Sequence, residues 1–183
     1  ADGFDPNALS LFMSGLIDDV RIYKRALNIT EIKTIATGFT NPGTPALIYD
    51  DGLTGAWQDW SWDTTRNFTN DTLVLSGSRS IAVTYNAPWA GFYLHTNTPV
   101  NTTGYSLLRF RVRGSTTNDI LLGVCVNSCS YKYYVSTYAD QWIQIDVPLA
   151  SFGNPTAVSD IWWQNMSSTA QSTFYVDQIE LVP

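Results

Sequence analysis

The sequence predicts an all-β protein: an antiparallel β-sandwich of the jelly-roll type, preceded by a short strand–helix segment. Three observations predict it. Apolar and polar residues alternate with period two in one short run after another from residue 46 onward. Gly, Pro, Asn and Asp signals break those runs at short, regular intervals. No stretch after residue 46 keeps a helical period, and many short strands without helices mean a sandwich.

The elements follow in order. Ile17 to Tyr23 alternates, with Asp19 and Arg21 facing away from Val20 and Ile22, and reads as a strand. Asn28 offers an N-cap with Glu31 at the third helical position, a capping box, and Ile29, Ile32, Ile35 and Ala36 then share one helical face. Residues 38–46 hold two prolines and two glycines among polar neighbours and read as a linker. The expected domains are thus a remnant over 1–37, a linker over 38–46 and a β-sandwich over 47–183. Its expected strands are 46–50, 56–62, 64–68, 72–76, 79–86, 91–96, 105–113, 119–126, 130–137, 141–147, 159–164 and 172–181. Alternation assigns their faces. Leu108, Phe110 and Val112 share one face of 105–113, with Arg109, Arg111 and Arg113 on the other. Such strands have one buried and one wet face.

Composition narrows the function. Of 183 residues only 14% are charged while 14% are aromatic, against roughly 25% charged in an average soluble domain. Ten Lys and Arg against sixteen Asp and Glu give a net charge of −6. There is no basic stripe to neutralise phosphates, so no nucleic-acid partner is expected. No apolar run approaches the ~20 residues of a membrane helix, so no membrane partner is expected. Cys125 and Cys129 cannot make a four-ligand zinc site alone, and their spacing is not CxxC. A disulfide across a tight hairpin is the favoured reading, with free thiols as the alternative. Sequons at Asn28, Asn67, Asn70, Asn101 and Asn165, together with low charge and a disulfide, point to a secreted or cell-surface protein.

Two resemblances add to this. Phe12 to Leu27, with Gly15, Ile17, Asp18, Asp19, Val20, Arg21, Ile22, Tyr23, Arg25 and Ala26, then Thr30, Glu31 and Ile32, resembles the C-terminal end of a laminin-G-like (concanavalin-type) domain over residues 4–37. A terminal strand cannot bury its apolar face alone. The resemblance therefore implies either a remnant packed on its neighbour or a strand that completes another chain's sheet.

Residues 47–183 resemble a carbohydrate-binding module of the jelly-roll (galactose-binding-like) superfamily. The likeness rests on Leu47 to Gly52, on Ser76 to Val83 and on Phe174 to Leu181. It implies a structural calcium near the first and last strands, held by Asp50 or Asp51, the carbonyls around Ser76 and Ser78, and Asp177. Calcium takes six to eight oxygens and accepts carboxylates and carbonyls alike.

Sugar rings present apolar C–H faces that stack on exposed Trp and Tyr, while their hydroxyls need neutral polar groups. Gln58, Trp60 and Trp62 share a strand face opposite Trp57, and Tyr93 and His95 lie opposite Phe92 and Leu94. Trp89 follows Pro88 in a turn. The candidate contacts are Trp60, Trp62, Trp89, Tyr93 and His95, with Arg109 and Arg111 as polar contacts. Each aromatic is alternatively core, His95 a structural hydrogen-bonding residue, and the arginine row a solvated face. Of Trp162 and Trp163, one must be wet. There is no GxSxG, HExxH or phosphate loop, and Asp59, Asp63, Asp146 and Asp160 lie in ordinary strand or turn contexts, so catalysis is not expected. The expected function is non-catalytic binding of a polysaccharide, β-glucan among the candidates, as part of a larger multidomain protein. The alternative is an extracellular adhesin or fibre subunit that self-associates through residues 1–40.

Overall fold

The structure, a computed structural model, describes residues 44–115 and 120–183. The laminin-G-like segment over 4–37 and most of the linker lie outside the described residues.

Eleven strands occur among the described residues. They are β1 (Ala46–Tyr49), β2 (Trp57–Asp59), β3 (Thr64–Asn70) and β4 (Ser80–Tyr85). Then come β5 (Gly91–Asn101), β6 (Leu107–Arg113), β7 (Leu121–Val126) and β8 (Ser128–Ser136). The last are β9 (Trp142–Pro148), β10 (Ala157–Asn165) and β11 (Phe174–Val182), with a 3-10 turn at Leu149–Phe152. The back sheet runs β3-β4-β11-β6-β9, with β1 also on β11, and the front sheet runs β2-β5-β10-β7-β8. Every pairing between these strands is antiparallel. This is the predicted sandwich.

Alternation sets the core. Ile81, Val83 and Tyr85 of β4, and Leu108, Phe110 and Val112 of β6, are buried beneath the back sheet. Phe92 and Leu94 of β5, Leu122 and Val124 of β7, and Ile161 and Trp163 of β10 answer them from the front sheet. Burial of each such side chain is worth ~1.5–3 kcal/mol. Trp163 sits at the centre. It stacks on Phe92 with centroids 5.2 Å apart and meets Phe110 edge-on, also at 5.2 Å. The Tyr85 hydroxyl crosses between sheets and donates to the Trp163 carbonyl at 2.7 Å. Burial raises that phenol well above its ordinary pKa.

Residues 72–76, expected as a strand, are irregular instead. The groups a ladder would use go to side chains. The Leu73 carbonyl accepts from Asn70 Nδ2 and Ser80 Oγ, and the Leu75 and Ser76 amides donate to Asp177. The expected strand 56–62 shortens to β2, and the chain rejoins the sheet at a single bridge between Trp62 and Gly91.

Candidate functional site

The outer face of the front sheet carries the aromatic residues singled out above. Strand pairing puts them in rows that cross the sheet. His95 lies between Gln58 and Asp160, and Tyr93 between Trp60 and Trp162. Gly91 lies between Trp62 and Gln164, and Gln164 is followed by Gly123 of β7.

Trp60 is 50% exposed, yet its position is well determined. Its indole stacks on the His95 ring, with centroids 3.8 Å apart and planes 24° from parallel. Its Nε1–H donates to Gln58 Oε1 at 3.1 Å. Trp62 is 37% exposed and lies across Gly91, where a Cβ would overlap its ring. Its Nε1–H donates to the Trp89 carbonyl at 3.1 Å. Tyr93 stands between the two indoles, edge-on to each at 6.1 Å, and also contacts Trp162 at 5.3 Å. Trp89 is 51% exposed and adopts the left-handed backbone conformation, φ 60°. That conformation is uncommon for a bulky residue. Its carbonyl accepts from both Trp62 Nε1 and Gln164 Nε2.

Beneath the aromatics lies a polar network. Asp160 Oδ1 accepts from the Tyr93 hydroxyl and from His95 Nδ1, the latter at 2.7 Å. Asp160 Oδ2 accepts from Ser159 Oγ, and His95 Nε2 faces Asn97 Oδ1 at 3.2 Å. Burial pushes the Asp160 carboxyl upward, but the bonds from Ser159, Tyr93 and His95 outweigh it and leave the pKa below its usual value. The bond to Asp160 raises His95 above the usual imidazole value. Burial first, and then Asp160, push the Tyr93 phenol up to about 12. The face therefore combines fixed, exposed indoles with amide, imidazole and carboxylate groups, which suits a ligand with one apolar face and a rim of hydroxyls.

Trp60, Trp62, Trp89, Tyr93 and His95 are thus brought together. Arg109 and Arg111 are not. They project from β6 on the outer face of the back sheet, across the core from the indoles. Arg109 forms a bidentate pair with Asp146, at 2.6 and 2.9 Å, and Arg111 donates to Gln144 Oε1 at 2.7 Å. The alternation of 105–113 is as predicted; the sheet to which the strand belongs separates it from the indoles.

Asp160 and Gln164 are the residues that sequence reasoning missed. They alternate with Trp162 on β10, but their role comes only from the pairing of β10 with β5, which a single strand's pattern does not encode. Trp163 is the buried member of that pair.

Cys125 and Cys129 form a disulfide, with Cα atoms 5.2 Å apart, across the β7–β8 turn at Asn127.

Asp50, Asp51, Ser76, Ser78 and Asp177 meet where β11 changes partner from β4 to β1. The groups that face the carboxylates are amides, not carbonyls. Asp51 Oδ1 accepts from the Ser78 and Arg79 N–H groups at 2.6 and 2.8 Å, and these hold its pKa below the usual carboxylate value. Buried Asp177 accepts from Leu75, Ser76 and Gln178 N–H. Asp50 Oδ1 is buried without a partner. Among the described residues, no three His, Cys, Asp or Glu side chains form a metal-holding group. The residues here form a hydrogen-bonded clasp.

Comparison with known proteins agrees with the fold. A family 11 carbohydrate-binding module from Clostridium thermocellum, solved in complex with a β-1,3-1,4-mixed-linked tetrasaccharide, superposes with a TM-score of 0.57. It is 13% identical, over 75% of this chain and 95% of that one. A family 29 carbohydrate-binding module from Piromyces equi superposes with a TM-score of 0.50 at 16% identity, over 75% of this chain and 89% of that one. An endoglucanase of Dictyostelium discoideum is 30% identical over 149 residues, covering 75% of this chain and 21% of that protein. The chain therefore spans about a fifth of that relative's length. Residues 48–182 match the model of the expansin-like protein C-terminal domain, and the chain belongs to that family.

Proposed function

We propose that this chain is a non-catalytic carbohydrate-binding module. It holds a polysaccharide of the β-glucan class on the Trp60–Trp62 face and tethers a larger secreted or cell-surface protein to it. One observation carries the reading: Trp60 is half exposed yet stacked on His95 and hydrogen-bonded through its indole nitrogen. A large apolar ring fixed in water loses little entropy when a sugar stacks on it.

Two likenesses support the substrate class. One structural neighbour was solved with a mixed-linked β-glucan tetrasaccharide, and the Dictyostelium relative is named an endoglucanase. The pyranose rings of β-glucans have flat apolar faces edged by hydroxyls, which match an indole beside Gln58, Asn97 and His95. Two carboxylates of the front-sheet strands have other duties. Asp160 serves Tyr93 and His95, while Asp59 pairs with Arg66 at 2.7 Å and accepts from Ser61. A glycosidase needs two carboxyl groups facing the scissile bond. The disulfide supports an oxidising compartment.

Affinity electrophoresis over a panel of β-glucans, xylan, mannan, galactan and chitin tests the proposal. Mixed-linked β-glucan is expected to retard the protein. Trp60→Ala and Trp62→Ala should each weaken binding about tenfold or more, with unchanged circular dichroism. Equal mobility on every gel would reject the reading.

A further inference from the structure

The row that begins at Trp62 does not stop at the middle of the sheet. It passes through Gly91, Gln164 and Gly123 to Tyr134 on β8, so one line of paired residues runs from the segment after β2 across β5, β10, β7 and β8. Direct partners in antiparallel pairs point to the same face, so Tyr134 shares the face of Trp62. With strands ~4.8 Å apart, the row is roughly 19 Å long.

Hydrogen bonds connect its polar groups. Trp62 Nε1 and Gln164 Nε2 meet at the Trp89 carbonyl, and Gln164 Oε1 accepts from Lys132 Nζ at 2.9 Å. The Lys132 stem lies over Gly123, where a Cβ would collide with it and with Met166. The two glycines let the Trp62 ring and the Lys132 stem lie close against the sheet, and Trp62 and Tyr134 stand at the ends of the row.

Tyr134 is also the lip of a second feature. β8 is the edge of the front sheet and β9 the edge of the back sheet. Between them runs a surface groove lined by Tyr133, Tyr134, Tyr138, Gln144 and Asp146. Tyr134 and Tyr138 are 57% and 51% exposed. Phenol rings beside an amide and a carboxylate repeat the chemistry of the indole face, and the groove is continuous with that face through Tyr134.

We propose that the glycan path extends from the Trp62 end across Lys132 to Tyr134 and over the sheet edge into the β8–β9 groove, which is a second set of sugar subsites for longer chains. This rests on the binding-module reading above.

Titration calorimetry with a ladder of mixed-linked β-glucan oligosaccharides, from tri- to octasaccharide, separates the two ideas. In the unaltered protein, affinity should keep rising beyond the tetrasaccharide. Tyr134→Ala and Tyr138→Ala should each weaken octasaccharide binding about three- to tenfold and change trisaccharide binding by less than about twofold. Both side chains are half exposed, so the core survives their loss. Affinity that levels off at the tetrasaccharide, or an octasaccharide affinity indifferent to both variants, would end the path at the indoles and leave the module reading standing. No binding by the unaltered protein at any length would overturn that reading, and the groove proposal with it.

Discussion

The indole of Trp60 lies on the imidazole of His95 at 3.8 Å, and Asp160 holds that imidazole from below through Nδ1 at 2.7 Å. The exposed ring is therefore set by a partly buried carboxylate it does not touch. Three strand segments meet in this stack. Trp60 follows β2, His95 is on β5 and Asp160 on β10, and each is fixed by the pairing of its strand.

The first prediction concerns pH. Hydrogen bonding to Asp160 raises the pKa of His95, so the stability it contributes is fully present below the ordinary imidazole value of about 6.5. That stability is lost as pH rises through the raised folded value. Asp160 has a lowered pKa, so its contribution is present above the ordinary carboxylate value of about 3.9 and is lost as pH falls below it. The pair should stabilise most between about pH 4 and 6.5. An NMR titration of the one histidine should give a midpoint above about 6.5 that falls in Asp160→Asn. The same midpoint in both proteins would mean that Asp160 does not control His95.

The second concerns the seat of Trp62. Gly91→Ala puts a methyl group where the indole lies. The strand backbone at Gly91 is ordinary, so the substitution should cost only about 1 kcal/mol in urea unfolding. Affinity for β-glucan should fall about tenfold as the indole is displaced. Unchanged affinity would place Trp62 outside the contact surface.

The third concerns the staple at the β7–β8 turn. The Cys125–Cys129 bridge closes a short loop, for which chain entropy gives about 2 kcal/mol of stability. Reduction, or Cys125→Ser with Cys129→Ser, should lower the unfolding free energy by about that amount. Cys125 pairs with Trp162, which packs on Tyr93. The bridge is therefore close enough to the indole face for its removal to weaken binding as well. A loss of stability without any loss of affinity would show that the turn and the face are independent.

Much of this arrangement was legible in the sequence. Period-two alternation put Phe92 and Leu94 in the core and Tyr93 and His95 outside, and it set Gln58, Trp60 and Trp62 against Trp57. Each of those assignments needs only neighbours along one strand. Asp160 was not legible, because its value lies in a bond to a residue 65 positions away, through a pairing of β5 with β10 that local pattern does not encode. The separation of the arginines from the indoles has the same cause. Alternation turned Arg109 and Arg111 outward correctly, but topology assigned β6 to the back sheet. Residues 72–76 misled because their apolar pattern suits a strand, while Asn70, Ser80 and Asp177 capture the backbone groups that a strand would pair.

The last prediction concerns the clasp at Asp177. Its carboxylate is fully buried and accepts three backbone N–H groups, from Leu75, Ser76 and Gln178. Burial pushes its pKa up, against the amides that pull it down. Removing the acceptor leaves buried donors unpaired, so Asp177→Ala should cost about 2–4 kcal/mol and free the 71–79 segment for proteolysis. Amides already face Asp51 and Asp177, so EDTA and millimolar calcium should leave the melting temperature where it is. A rise of several degrees with calcium, abolished by Asp50→Ala, would instead place a cation at the unpartnered Asp50 Oδ1 and restore the metal site that the resemblance implied.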